Sequence, residues 1–197
     1  MCRPVGTTRA KKPIQKAEYK KLMYATKKSL TINHSTRIKL QRAFTLLYLT
    51  GCRISEIVNI SRVEVEEMIE HNEFSLRNNT KTKKPRLISF DDERKQVKLL
   101  KEIVPYEDEY LFRRNGSSKP MGVESLKLMM NNFIHAVLGE LYSTHSFRSG
   151  YITTQHSLGF SLEHIREDIG HSSIATTARY ATVTRKDISL GKNKIDW

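Results

Sequence analysis

The sequence lacks the marks of a disulfide-linked, zinc-binding or membrane protein. It contains only two cysteines, Cys2 and Cys52, and neither belongs to a CxxC pair, so reduced thiols in a cytoplasmic protein are the expectation. No run approaches the ~18 apolar residues of a membrane span, and no apolar stretch follows the basic start. An HExxH motif and clustered His/Asp sets are also missing, so we expect no metal and no other cofactor.

Positive charge is what the sequence has in excess. The net charge is +13, and within residues 1–30 Glu18 is the only acidic residue. The basic residues of that stretch are Arg3, Arg9, Lys11, Lys12, Lys16, Lys20, Lys21, Lys27 and Lys28. Such an excess favours a polyanionic partner. A basic face that serves only solubility stays open as the alternative.

The spacing of apolar residues predicts a mainly α-helical fold with a small antiparallel β-sheet, of the α+β class. Helical spacing covers about 14–28, 38–50, 53–60, 91–104 and 122–141. Gly51 is expected to end the second helix in a left-handed conformation. Residues 74–90 alternate apolar and polar groups at both ends of a lysine-rich middle, which predicts a hairpin.

Five short motifs follow one another along the sequence: TGCRISE, TKTKKPR, HSFR, IGHSS and TTARY. In order and spacing they resemble the tyrosine recombinase (phage integrase) family over residues 14–185. The size is similar to that of short single-domain invertases that switch fimbrial promoters. Ile169 stands where leucine is usual in the family, which exchanges one apolar residue for another. The resemblance implies the family's catalytic-domain fold and six catalytic residues: Arg53, Lys81, His145, Arg148, His171 and Tyr180.

The implied chemistry suits these residue types. A phosphodiester transition state carries charge on its non-bridging oxygens, which an arginine fork can bind in pairs, so the resemblance makes Arg53 and Arg148 phosphate clamps. His145 and His171 would donate further hydrogen bonds, and His145 could also help deprotonate the nucleophile. Tyr180 would attack phosphorus to give a 3′-phosphotyrosyl bond, without metal or ATP.

The hairpin lysines and one acidic residue complete the candidate site. Alignment on Arg86 selects Lys81 as the acid that protonates the leaving 5′ oxygen, with Lys83 and Lys84 as the other candidates. Lys83, Lys84 and Arg86 are expected to contact DNA. Glu56, three positions after Arg53, could orient a guanidinium or a histidine from behind; an ordinary exposed helix acid is the equal alternative.

The expected organisation is a flexible basic arm at 1–13, a catalytic domain at 14–185 and a C-terminal tail at 186–197. The tail either folds back on its own domain or, as the resemblance implies, docks on a neighbouring copy. The chain is either a natural single-domain recombinase or a catalytic fragment of a longer one. The expected partners are double-stranded DNA with specific recombination sites and further copies of the chain, as a tetramer, with room for an accessory DNA-bending protein. Two other functions remain open: relaxation of DNA like a type IB topoisomerase, and regulation by a DNA-binding protein that does not cleave.

Overall fold

The computed structural model describes residues 11–76, 86–89, 110–114 and 116–178. In chain order the elements are α1 (Lys16–Lys28), α2 (His34–Thr50), α3 (Ile54–Ile57), α4 (Arg62–His71), β1 (Glu73–Leu76), β2 (Arg86–Ser89), α5 (Val123–Leu138), α6 (His145–Ser157), α7 (Leu162–Ile169) and α8 (Ile174–Ala178). The mainly helical prediction is confirmed for this part of the chain. The helix predicted at 91–104 lies outside the described residues.

Helix α2 is the centre of the fold. It begins at Asn33, whose side-chain oxygen accepts a hydrogen bond from the Thr36 amide at 2.8 Å and so caps the first turn. It ends at Gly51, which has φ 59° and ψ 15°, as the sequence predicted. Between these ends nearly every residue from Leu40 onward is buried, because α1, α6 and other elements cover different faces of the helix.

Two groups of apolar residues hold the elements together. In the larger group, Phe44 of α2 stacks on Phe147 of α6 with ring centroids 5.6 Å apart. Burying one such side chain contributes about 1.5–3 kcal/mol, so this contact ties α6 firmly to the central helix. A smaller group joins α6 to α7 through Ile152, Ile165 and Ile169, all fully buried. The first turn of α6 and the end of α7 are therefore positioned by different sets of contacts.

The residues before α1 form a strap across α6. The Lys12 amide donates to the Leu141 carbonyl at 2.8 Å, and the Ile14 amide donates to the Ser146 carbonyl at 2.9 Å. Lys11 also donates from Nζ to the Glu140 carbonyl. Lys11 and Lys12, which belong to the arm predicted over 1–13, are therefore hydrogen-bonded to the body of the protein. Residues 1–10 lie outside the described part of the chain.

Strands β1 and β2 pair antiparallel, with Phe74 opposite Ile88. The turn between them, which holds the lysines of the predicted hairpin, lies outside the described residues. An isolated bridge between Ser61 and Tyr110 attaches the segment before α5 to the residue before α4, and a second bridge, between Arg113 and Pro120, lies within that segment. No helix within the described ranges combines the length and the apolar character needed to cross a membrane.

Candidate active site

Arg53 and Glu56 form a hydrogen-bonded pair at the start of α3. Arg53 is the residue that precedes the first turn, rather than a member of that turn as predicted. The Glu56 carboxylate accepts from the Arg53 amide at 2.7 Å and from its Nη1 at 2.8 Å. Glu56 is 3% exposed, so the alternative of an ordinary exposed helix acid is wrong. The half-exposed Arg53 guanidinium is thus held on one side by a buried carboxylate, which limits its orientation.

The turn before Arg53 depends on Gly51. A side chain cannot be added there without collision, because a Cβ at Gly51 would lie 2.5 Å from Cδ1 of Tyr151, and the positive φ independently favours glycine. Thr50 stabilises the turn, since its hydroxyl accepts from the Cys52 amide at 3.1 Å. The backbone of Gly51 is consequently packed directly against α6.

Arg148 lies beneath this turn. Its side chain is 2% exposed; Nη1 donates to the Gly51 carbonyl at 2.8 Å, and Nη2 donates to the Ile169 carbonyl. These two bonds connect the end of α2, the first turn of α6 and the end of α7. The sequence suggested a phosphate clamp, and the structure adds that the same guanidinium cross-links three of the five motifs.

His145 is the first residue of α6 and is exposed on one side. The loop before it is held by Asn131 of α5, whose side-chain oxygen accepts from the Thr144 amide at 2.9 Å. Loss of solvation on the packed side of the ring, followed by the positive charges of Arg148 and Arg53, lowers the pKa of His145 below its ordinary value. A neutral imidazole beside two guanidinium groups can accept a proton, as a general base must.

His171 follows the end of α7 after Gly170, which has φ 66° and ψ 44°. Its amide donates to the Arg166 carbonyl at 2.9 Å, and its Nδ1 lies 3.0 Å from Oγ1 of the buried Thr177 in α8. A partner at Nδ1 restricts the rotation of the ring, so that the edge with Nε2 points away from Thr177. The position of His171 is therefore set by α7 on one side and by α8 on the other.

The structure thus brings four of the six predicted catalytic residues into one region. The charges of Arg148 and Arg53 both act on His145, and His171 lies two residues beyond the carbonyl that Arg148 contacts. Lys81, Lys83, Lys84 and Tyr180 lie outside the described residues, and Arg86 lies in β2. Among the residues that can be examined, no three His, Cys, Asp or Glu side chains come together in a metal-binding group.

Sequence reasoning missed the residues that hold this region in place. Asn131 and Thr177 support the two histidines; Asn131 lies outside the five motifs, and Thr177 lies within TTARY but was given no role there. Thr177 could have been suspected from the HSSIATT stretch, where hydroxyl residues follow His171 within one short helix. The carbonyls of Gly51 and Ile169 carry no side-chain signal at all, because any residue type supplies the same acceptor.

Comparisons with known proteins identify the family to which the sequence is similar. The sequence matches the phage integrase family over residues 12–187. It is 31% identical over 154 residues to the tyrosine recombinase XerC of Rickettsia prowazekii, which covers 75% of this chain and 48% of that protein. It is 28% identical over 154 residues to the tyrosine recombinase XerD of Staphylococcus aureus, with 73% and 50% covered. The chain spans about half the length of these curated relatives.

Solved structures show the same fold. The XerA recombinase superimposes with a TM-score of 0.72 at 18% identity, covering 100% of this chain and 68% of that chain. A lambda integrase dimer bound to a COC′ core site gives a TM-score of 0.63 at 15% identity, covering 99% and 52%. Because the family match extends over most of the sequence and includes all five motifs, the chain belongs to the phage integrase family.

Proposed function

We propose that the chain is a site-specific DNA recombinase that cuts and rejoins DNA through a 3′-phosphotyrosyl intermediate. The observation that carries the proposal is the group of Arg53, His145 and Arg148, which concentrates positive charge beside an imidazole of lowered pKa. Such a group stabilises the charge that develops on a phosphodiester during displacement. Family membership supplies the reaction class, and tyrosine recombinases are among the chain's relatives.

In this mechanism each cationic residue has a distinct task. Arg53 presents its half-exposed guanidinium to a non-bridging oxygen while Glu56 holds it from behind. Arg148 adds positive charge from beneath the surface, where low exposure strengthens its field. His171 donates a hydrogen bond to the phosphate, and His145 accepts the proton of the attacking hydroxyl.

The remaining two tasks fall to residues assigned by motif. Tyr180 attacks phosphorus, the P–O bond to the 5′ oxygen breaks, and Lys81 donates the proton that the leaving oxygen requires. Rejoining is the reverse reaction, so the phosphotyrosyl bond conserves the energy of the original linkage. We further infer that β1 and β2 belong to a small antiparallel sheet whose turn carries Lys81 into the groove, with Lys83, Lys84 and Arg86 contacting phosphates.

The proposed organisation and partners follow from the same function. Residues 14–185 form the catalytic domain, residues 186–197 dock on a neighbouring copy, and recombination proceeds in a tetramer that pairs two duplexes. Phosphate contacts should supply most of the grip on DNA, which makes binding dependent on salt. The exposed lysines of α1 are suited to this role because Glu18, the acidic residue of that helix, is engaged with the Gln15 amide.

The test uses nicked suicide duplexes that tile the DNA flanking the gene, incubated with the wild-type protein and with Tyr180→Phe. A covalent adduct seen on a denaturing gel for the wild type alone, and mapped to Tyr180, supports the proposal. Specific binding without any adduct would instead favour a DNA-binding regulator. Adduct formation with relaxation of supercoils but no strand exchange between two duplexes would favour a topoisomerase.

A further inference from the structure

A hydrogen-bonded cluster outside the motifs joins α6 to α7. The Tyr151 hydroxyl donates to Oδ2 of Asp168 at 2.8 Å, and Nε2 of Gln155 donates to the same oxygen. Tyr151 and Gln155 lie four residues apart on α6 and therefore share one face of that helix. A single carboxylate oxygen on α7 thus accepts from two side chains on α6, and all three residues are partly buried. We call these three residues the α6–α7 clip.

The clip adjoins both residues whose carbonyls hold Arg148. The Tyr151 ring lies against Gly51, close enough that a Cβ there would sit 2.5 Å from Cδ1. Asp168 directly precedes Ile169, whose carbonyl accepts from Nη2 of Arg148. Tyr151 therefore packs against Gly51, which supplies one acceptor, and Asp168 directly precedes Ile169, which supplies the other.

The apolar contacts between these helices do not by themselves set the register that Arg148 needs. Ile152, Ile165 and Ile169 form a small buried group, and apolar attraction has no directional preference. Hydrogen bonds, in contrast, weaken steeply when their distance or angle departs from the optimum. Two bonds to one carboxylate oxygen can thus determine where the end of α7 stops relative to α6.

We propose that Asp168, held by Tyr151 and Gln155, is a positioning residue that places the Ile169 carbonyl, and through it the Arg148 guanidinium, in the active site. The clip does not touch the reacting phosphate. It acts through Arg148 and through the connection from Ile169 to His171. The placement of Arg148 does not depend on the proposed function, whereas the consequence for DNA cleavage rests on it.

The pKa of His145 offers a direct measure of where the Arg148 charge lies, because that charge is among the causes that lower it. The experiment is an NMR titration of the full-length chain without DNA, with the His145 signal assigned through His145→Gln. Asp168→Ala removes the acceptor, and we expect the pKa of His145 to rise toward its ordinary value as the guanidinium moves away. Asp168→Asn keeps an oxygen acceptor and should restore much of the wild-type pKa.

Two further variants separate positioning from general loss of stability. Tyr151→Phe removes one of the two bonds but keeps the ring against Gly51, so a smaller upward shift is expected, and this variant remains informative if Asp168→Ala fails to fold. Tyr19→Phe is the matched control, because it also removes a tyrosine hydroxyl bond, to Thr45 at 3.1 Å, but between α1 and α2. It should leave the pKa of His145 unchanged.

The proposal is overturned if Tyr151→Phe and folded Asp168→Ala give the same His145 pKa as Tyr19→Phe. It is also overturned if Asp168→Asn and Asp168→Ala lower the His145 pKa by the same amount, since the loss of a negative charge rather than movement of the guanidinium would then be responsible. With a cleavable duplex in hand, Asp168→Ala should lower the cleavage rate at saturating DNA more than it weakens DNA binding. If no variant, wild type included, forms an adduct, the proposed function fails while the titration still decides the positioning role.

Discussion

Gly150→Ala tests whether the N-terminal strap is packed as tightly as the structure indicates. Gly150 lies inside α6, where an alanine would ordinarily stabilise the helix by about 1 kcal/mol. Here, however, a Cβ would lie 1.9 Å from the Ile14 carbonyl oxygen and 2.7 Å from the Ile14 carbonyl carbon. Both neighbours are backbone atoms, so the strap must move as a unit. Helix propensity therefore predicts that the substitution raises the free energy of unfolding, whereas strap packing predicts that it lowers it.

The cost of moving the strap can be estimated from what it contributes. Ile14 is 1% exposed, and re-exposing such a side chain costs about 1.5–3 kcal/mol. The hydrogen bond from the Ile14 amide to Ser146 contributes about 1 kcal/mol more. After subtraction of the gain in helix propensity, Gly150→Ala should lower the free energy of unfolding by about 1.5–3 kcal/mol.

The assay is urea denaturation followed by circular dichroism, with the free energy taken from linear extrapolation. Gly122→Ala is the control, because a Cβ there would meet only Oγ of Ser125 at 3.7 Å, and its effect should be small. In a variant that lacks residues 1–14, Gly150→Ala should become neutral or stabilising, since the obstacle is gone. Equal or greater stability of Gly150→Ala in the intact chain would refute the packing argument.

Three further predictions concern charge. Because folding lowers the pKa of His145, its contribution to stability is fully present above pH 6.5 and is lost as the pH falls through the lowered value. Between pH ~8 and ~5 the free energy of unfolding should therefore fall less for His145→Gln than for the wild type. Replacing Lys20 and Lys27 by Gln should reduce the slope of log affinity for DNA against log salt concentration by up to about 2. Lys127→Gln should leave this slope unchanged, because Lys127 pairs with Glu124 at 3.2 Å. Arg148→Lys should lower the free energy of unfolding by ~2–3 kcal/mol, because an ammonium group cannot donate to two carbonyls as the guanidinium does. Arg53→Lys, on a side chain that is 31% exposed, should lower it by less than ~1 kcal/mol. Equal costs in unfolding experiments would contradict the cross-linking role of Arg148.

Features encoded by neighbouring residues could be predicted from the sequence. The end of α2 at Gly51 was one of these, because a left-handed residue after an apolar helix is a local requirement. Helix α4 was not predicted, although Ser61 and Glu64 form a capping box that the sequence displays. Only Val65 and Met68 of this helix are buried, so its apolar periodicity is too weak to indicate a helix.

Features that join distant segments could not be predicted in the same way. The need for glycine at position 150 arises from a strap that lies far away in the sequence, and no pattern around Gly150 reveals it. The same holds for the carboxylate of Asp168, which looks like an ordinary helix acid beside Glu167 until α6 is packed against it. Tertiary contacts of this kind depend on the final placement of helices, which apolar periodicity leaves undetermined.

The burial of Arg148 connects these observations to the chemistry. A charge with 2% exposure must be solvated by the protein itself, and the carbonyls of Gly51 and Ile169 do part of this work. Both carbonyls point at the guanidinium only when Gly51 adopts its left-handed conformation and when the last residue of α7 lies level with Arg148 on α6. Gly51 of TGCR and Ile169 of IGH therefore both solvate Arg148 of HSFR through their carbonyls. Three motifs that lie far apart in the sequence thus depend on one buried guanidinium, and a substitution at Arg148 changes the position of the site as well as its charge.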